Sequence, residues 1–291
     1  MSTGPTYVVG AILTAHPHTV AHLRTLDVLP EVEAIHVHWL DGADPATLGA
    51  DVPLRKVVAT HAHVHDLLGV SGLDAAIICV RTDRCPAVLQ AEIAAEVPVL
   101  FEKPGALDAA TLWELAAEAR RRSVTVGTFL SWRGHPAVTQ VRDALGAGAL
   151  GDLLGVEGRM VTSQVRYRDP SHWLFRRDLA GSGILSWLGC HFLDALCFMT
   201  DDNVAEVASM VGRRNPEPID VEDTACLAIR MHGGAIGTFN AGYHLVGGAA
   251  GYIGPAYDTF LALRGAHGYA RLPLSEGATA TVVSEAPGWR E

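Results

Sequence analysis

The sequence predicts an α/β protein in two parts: an N-terminal Rossmann-like parallel sheet over residues 1–130 and a C-terminal α+β domain, with a mostly antiparallel sheet, over residues 131–291. Two observations carry this. Short apolar runs alternate with amphipathic helical stretches in the first part, as βαβ crossovers require. Longer strand-like stretches then follow one another with few helices between them.

In the first part, residues 7–13 form an apolar run suited to a buried parallel strand, and residues 17–27 place Val20, Leu23 and Leu26 on one helical stripe. Residues 32–40, 74–80, 97–101 and 123–129 are further strands. Helices are expected over 86–96 and over 108–122, the latter capped by Asp108. In the second part a helix at 135–147 leads to the turn Gly148-Ala-Leu-Gly151. Strands are expected at 153–166, 204–213, 222–231, 234–243 and 258–264, interrupted by a helix near 183–200. His232-Gly-Gly234 marks a hairpin.

The chain has 291 residues, 49% of them hydrophobic, enough for a large core. Its formal charge of −10 repels phosphate backbones, so no nucleic-acid partner is expected. The five cysteines, Cys79, Cys85, Cys190, Cys197 and Cys226, lack metal or disulfide spacing and read as reduced thiols. The N-terminus lacks the pattern of a signal peptide, and no apolar run approaches the roughly 20 residues of a membrane span, so a cytoplasmic protein without a membrane partner is expected.

Two stretches carry a resemblance. Leu100-Phe-Glu-Lys-Pro104 ends an apolar strand, and Gly181-Ser-Gly-Ile-Leu-Ser-Trp-Leu-Gly-Cys-His-Phe-Leu-Asp194 opens the later helix. Together they resemble the Glu-Lys-Pro and Gly-Gly-Gly-x-Leu-x-Asp-x-Gly-x-His-x-x-Asp signatures of Gfo/Idh/MocA oxidoreductases. Trp132-Arg-Gly-His-Pro136, Gly148-Ala-Leu-Gly151 and Val221-Glu-Asp-Thr224 resemble further segments of that family in the same order. Any one tripeptide recurs by chance; the ordered set is specific.

The resemblance implies NAD or NADP as cofactor and a small-molecule substrate, a sugar, cyclitol or related polyol. It also implies homo-oligomers formed through the C-terminal sheet. It makes Lys103 and His191 the catalytic pair, an ammonium and an imidazole that share the proton of the reacting hydroxyl. Without it, Lys103 reads as a strand-end surface lysine and His191 as a core histidine. Cofactor contacts are expected at Thr14, His16, Pro17, His18, Asp41, Thr82, Glu102 and Lys103. Substrate contacts are expected at Arg133, Tyr167, His172, Trp173, Trp187 and Asp194. Asp194 shares roughly one helical face with His191 and either orients its ring or caps another element. Asp41 is either a ribose ligand or a loop carboxylate. Pro104 restricts Lys103 to an extended conformation, with a cis bond before it an option.

The chain departs from the pattern in three places. The dinucleotide turn Gly-x-Gly-x-x-Gly is here Thr14-Ala-His-Pro-His-Thr19, with Thr14, His16 and Thr19 at the glycine positions. The family's aspartate four residues before the histidine is Trp187, which supplies one N–H donor and an apolar face in place of a carboxylate. The acid that in the family ends strand two falls here on Trp39 or Leu40, with Asp41 nearby. These departures keep alternatives open: the fold repurposed for non-redox acid–base chemistry (isomerisation, elimination or cyclisation), ligand sensing without a dinucleotide, and, more remotely, a zinc hydrolase.

His61-x-His63-x-His65 and His36-x-His38 place imidazoles on one face of an extended segment. No carboxylate set at matching spacing completes a metal site, so the reading is a polar loop leading into a helix near Asp66, and no metal is expected.

Overall fold

The computed structural model describes residues 4–42, 54–247, 256–274, 277 and 279–289. It divides into two compact units, residues 1–129 with 178–181, and residues 130–177 with 182–291.

The first unit is built on a six-stranded sheet in the order β3-β2-β1-β4-β5-β6, every neighbouring pair parallel. Its strands are β1 (Tyr7–Leu13), β2 (Val32–Trp39), β3 (Val57–His61), β4 (Ala75–Cys79), β5 (Val99–Phe101) and β6 (Val126–Thr128). The helices are α1 (Thr19–Val28), α2 (Val64–Leu68), α3 (Cys85–Ala94) and α4 (Ala109–Arg122). β1 and β4 are buried along nearly their whole length, which is why both read as unbroken apolar runs rather than as alternation. Asp108 caps α4 as expected, its carboxylate accepting from the Thr111 N–H at 2.9 Å. The strand order reverses between β1 and β4, so the carboxyl ends of these strands flank a topological switch point.

The sequence reading places no strand at residues 57–61 and takes the His61–His65 stretch as polar loop. Residues 57–61 form β3, which pairs with β2 in parallel, and its polar end at Thr60 and His61 hid the strand. His36 and His61 face each other there, Nδ1 to Nε2 at 2.9 Å. His38 Nδ1 meets the His61 carbonyl at 3.0 Å. His63 precedes α2 and His65 lies within it, so the His61, His63 and His65 imidazoles do not share one strand face.

The second unit opens with α5 (Pro136–Gly146) and carries a seven-stranded sheet in the order β13-β12-β11-β7-β10-β9-β8. Its strands are β7 (Leu153–Ser163), β8 (Val204–Gly212), β9 (Thr224–Met231), β10 (Ile236–Leu245), β11 (Tyr257–Gly265), β12 (Gly268–Leu272) and β13 (Thr281–Ser284). All neighbours are antiparallel except β7 and β10. β12 and β13, absent from the sequence reading, extend the sheet beyond β11. A short helix, α6 (Arg177–Ala180), of which residues 178–180 belong to the first unit, precedes the glycine signature. A π-helical turn, Leu185–Gly189, then runs into α7 (Cys190–Thr200), which packs on α5 and β7. The segment Arg177–Thr200 is long and apolar enough to pass for a membrane span, contrary to expectation, yet more than half of its most apolar stretch is buried. That fits a core helix.

Two buried features test the packing. On α3 the inward stripe is Cys85, Val88, Leu89, Glu92 and Ile93. Glu92 is fully buried, neither carboxyl oxygen has a hydrogen-bond partner among the described residues, and burial pushes its pKa up to about 8. Below the ordinary carboxyl pKa the group is protonated in folded and unfolded chains alike. Between about 4.3 and the raised value only the unfolded chain has lost the proton, so stability falls as pH rises through that window. Replacing Glu92 with Met will remove this slope. The variant will gain on the order of several kcal/mol at pH 9 relative to its gain at pH 4, read as the difference in denaturant midpoints. Gly183 is the second feature: a β-carbon there would lie 1.9 Å from the Glu222 carbonyl oxygen. Gly183→Ala will destabilise the chain by about 1–3 kcal/mol or more, visible as a lowered Tm.

Candidate functional site

The carboxyl ends of the parallel strands gather the first unit's chemistry. β5 runs into Glu102-Lys103-Pro104, with a cis bond between Lys103 and Pro104. Gly105 follows at φ +76°, and a β-carbon there would collide with the Phe101 ring at 2.3 Å. This chain path leaves Glu102 5% and Lys103 4% exposed, against the expectation for a strand-end surface lysine.

Glu102 is held from α1. His18 Nδ1 lies 2.7 Å and His22 Nε2 3.0 Å from the same carboxylate oxygen, Oε1. The two histidines are four residues apart, one helical turn, so both reach the same point. Phe129 packs on the His22 ring at 4.1 Å between centroids. Burial alone would raise the Glu102 pKa, but the hydrogen bonds from His18 and His22 and the nearby positive charges outweigh it and hold the carboxyl well below the usual range. Its second oxygen, Oε2, is buried without a hydrogen-bond partner among the described residues.

The turn from β1 to α1 is filled by its own side chains. Thr14, His16 and Thr19 are all buried. Thr19 Oγ1 donates to the Thr14 carbonyl at 2.9 Å and lies 3.4 Å from Cys79 Sγ. His16 Nδ1 lies 3.4 Å from the same sulfur and accepts from the His18 N–H at 3.1 Å. Burial, foremost, pushes the His16 pKa down to about 3, so this ring is neutral at ordinary pH. Burial likewise raises the Cys79 thiol far above its normal range, which leaves it a packing group rather than a nucleophile. Thr14 Oγ1 is buried without a partner among the described residues. Pro17 is exposed, and Thr82, after β4, is 2% exposed. Asp41 ends the segment after β2 at φ +59°, with Arg84 Nε 3.1 Å from its Oδ2.

In the second unit His191 stands in the first turn of α7, 6% exposed, directly after the π-helical turn. Such turns recur at functional sites because the extra residue re-aims the side chains that follow. Trp187 is buried within it and meets Trp173 edge-on at 6.1 Å. Glu222 clamps the glycine signature: Ser182 Oγ and the Gly183 N–H donate to its two oxygens at 2.8 Å each, and the Leu185 N–H at 3.1 Å. The sequence showed Glu222 within Val221-Glu-Asp-Thr224 but not this role, since the partners lie some forty residues away. A small cavity is lined by Trp132, Met160, Leu188, His191, Phe192, Tyr257 and Thr259.

Asp194 does not orient His191. It forms a two-pronged ion pair with Arg133, at 2.9 Å from Nε and 2.6 Å from Nη2, so these two expected substrate contacts satisfy each other. His172 caps a 3₁₀ turn by accepting from the Leu174 N–H at 3.3 Å and stacks near Trp173. Tyr167 is exposed, with the Arg166 guanidinium over its ring at 4.9 Å.

Comparison with known proteins agrees with this architecture. Residues 138–271 match the model of the GFO/IDH/MocA C-terminal domain. The 1,5-anhydro-D-fructose reductase of Ensifer adhaerens is 27% identical over 269 residues, 81% of this chain and 79% of that protein. The trans-1,2-dihydrobenzene-1,2-diol dehydrogenase of Bos taurus is 33% identical over 141 residues, 48% of this chain, and the matched segment spans only 40% of that protein's length. Among solved structures, an oxidoreductase domain protein from Kribbella flavida superposes with a TM-score of 0.80 at 22% identity, covering 97% of this chain and 80% of that one. A levoglucosan dehydrogenase in complex with NADH and levoglucosan gives 0.79 at 17% identity, covering 96% and 81%. These last two speak to the fold. Beside the ordered signatures and the switch-point sheet, residues 138–271 thus match a GFO/IDH/MocA C-terminal domain.

Proposed function

We propose that this chain is an NAD(P)-dependent oxidoreductase of a sugar, cyclitol or related polyol, with Lys103 and His191 moving the proton of the reacting hydroxyl. The observation that carries the reading is the buried Lys103 beside an ionised Glu102 at the carboxyl end of β5, next to the β1/β4 switch point.

The residues present fit a dinucleotide, although the glycines are missing. His16 and Thr19 turn their side chains inward onto Cys79, which leaves the outer surface of the turn to backbone and to the start of α1. Thr14 Oγ1 and Thr82 stand at neighbouring strand ends, the first with its hydroxyl unmet among the described residues. Asp41 and its partner Arg84 bring both signs of charge to the end of β2, so discrimination between ribose hydroxyl and 2′-phosphate falls to this pair. The nicotinamide, when bound, exchanges a hydride with the substrate carbon.

The protein's own share is proton transfer and orientation. Lys103 donates a hydrogen bond to the reacting oxygen and stabilises charge on it as it changes between hydroxyl and carbonyl. His191 accepts or returns the proton, as an imidazole does near neutral pH. Trp187 supplies no carboxylate to assist, so the work rests on these two groups. The apolar side chains exposed on β8, Val207, Met210 and Val211, support self-association through the sheet of the second unit.

Lys103→Met and His191→Asn will each lower kcat on a turned-over polyol by about 10²–10⁴-fold while Tm changes little. Asp41→Ser will shift the preference toward NADP, read as the ratio of kcat/KM for the two nucleotides. Calorimetric titration of the folded chain with NADH and NADPH will show binding of at least one. Absence of binding by both would turn the reading to non-redox acid–base chemistry by the same two residues, which the substitution of Trp187 for an acid favours.

A further inference from the structure

We propose that His18, His22 and Glu102 form a binding site for a divalent transition-metal ion of zinc-like preference. The carboxylate and the two imidazoles offer one ligand atom each, and the three atoms lie within 4.8 Å of one another. Tetrahedral coordination at about 2.0–2.1 Å places neighbouring ligand atoms roughly 3.3 Å apart. The observed separations from Glu102 Oε1, 2.7 Å to His18 and 3.0 Å to His22, need open by about 0.3–0.6 Å to admit an ion, and the two imidazole nitrogens lie within 4.8 Å of each other.

The set is also held in place. His18 is the N-cap residue of α1, His22 lies one turn into that helix, and Glu102 directly follows β5, so two elements position the ligands. Phe129 against the His22 ring fixes one imidazole plane. The unmet Glu102 Oε2 is an independent sign that the site is incomplete by itself: the side chain is 4% exposed, and a buried carboxylate oxygen without a partner is costly. The His18 side chain, 25% exposed, leaves a way in and a position for water or an anionic ligand. Two nitrogens and one carboxylate suit zinc, cobalt, nickel or ferrous iron rather than magnesium or calcium. The positive charge of Lys103, next in the chain, opposes the ion and sets its affinity below that of a closed structural zinc site.

This inference stands on the first unit's geometry and holds whether or not a nucleotide binds. The hydrogen-bonded cluster without any ion is the competing account. The test uses the full chain stripped with a chelator and titrated with Co²⁺, then with Zn²⁺ in competition. The proposal predicts visible Co²⁺ absorption of a low-coordinate site saturating at one equivalent, displaced by Zn²⁺. His18→Gln and Glu102→Gln will weaken binding at least ~10-fold, whereas His61→Gln will leave it unchanged. His18→Gln alters a partly exposed residue that makes no helix-capping bond, so it retains the fold even where Glu102→Gln does not; circular dichroism checks this. Absence of cobalt absorption in the folded wild-type chain would overturn the site, as would absorption undiminished in His18→Gln.

Discussion

The carboxylate of Glu102, pinned by two imidazoles, is the contact on which the first unit's site depends. It ties the start of α1 to the end of β5 across the strand between them. A buried carboxylate is tolerable only when it is met by donors or cations, and here burial and hydrogen bonding pull the group in opposite directions, with hydrogen bonding the stronger. The same contact fixes the backbone just before Lys103, while Gly105 packs against the Phe101 ring just after it. Lys103 is thus flanked by two constraints, one of which runs through His18 of the β1–α1 turn itself.

The second unit solves a similar problem with different chemistry. His191 must be aimed by a helix that begins in a glycine-rich loop, and such a loop has little stiffness of its own. Glu222 supplies it by accepting from Ser182, Gly183 and Leu185, and the tight approach of its backbone to Gly183 excludes any larger residue there. Asp223, the next residue, accepts from the Arg214 and Asn215 N–H groups and orders the segment before β9. Adjacent acids thus brace two different loops.

Much of the fold was legible because its signals are local. The unbroken apolar runs of β1 and β4, the Asp108 cap and the alternation of β9 need no knowledge of partners. β3 was missed because a short edge strand with half-polar residues lacks a periodic signal, and β12 and β13 because their pairing is set by β11 rather than by their own sequence. In the site, the residue types of Lys103, His191 and Glu102 were legible through the ordered signatures, and their burial now accompanies that reading. What the sequence hid was pairing over distance: His18 and His22 with Glu102, Arg133 with Asp194, Glu222 with the glycine loop. Each joins residues tens of positions apart, and charge complementarity alone does not single out one partner among many.

The ionised, doubly clamped state of Glu102 is therefore the claim to measure. A ¹³C-carboxyl NMR titration of the folded chain, with Glu102 assigned through a Glu102→Gln variant, reads it directly. The account predicts that the Glu102 resonance stays in its ionised position as pH falls through the ordinary carboxyl range near 4.3. A titration step for Glu102 at or above that value in the folded protein would contradict it.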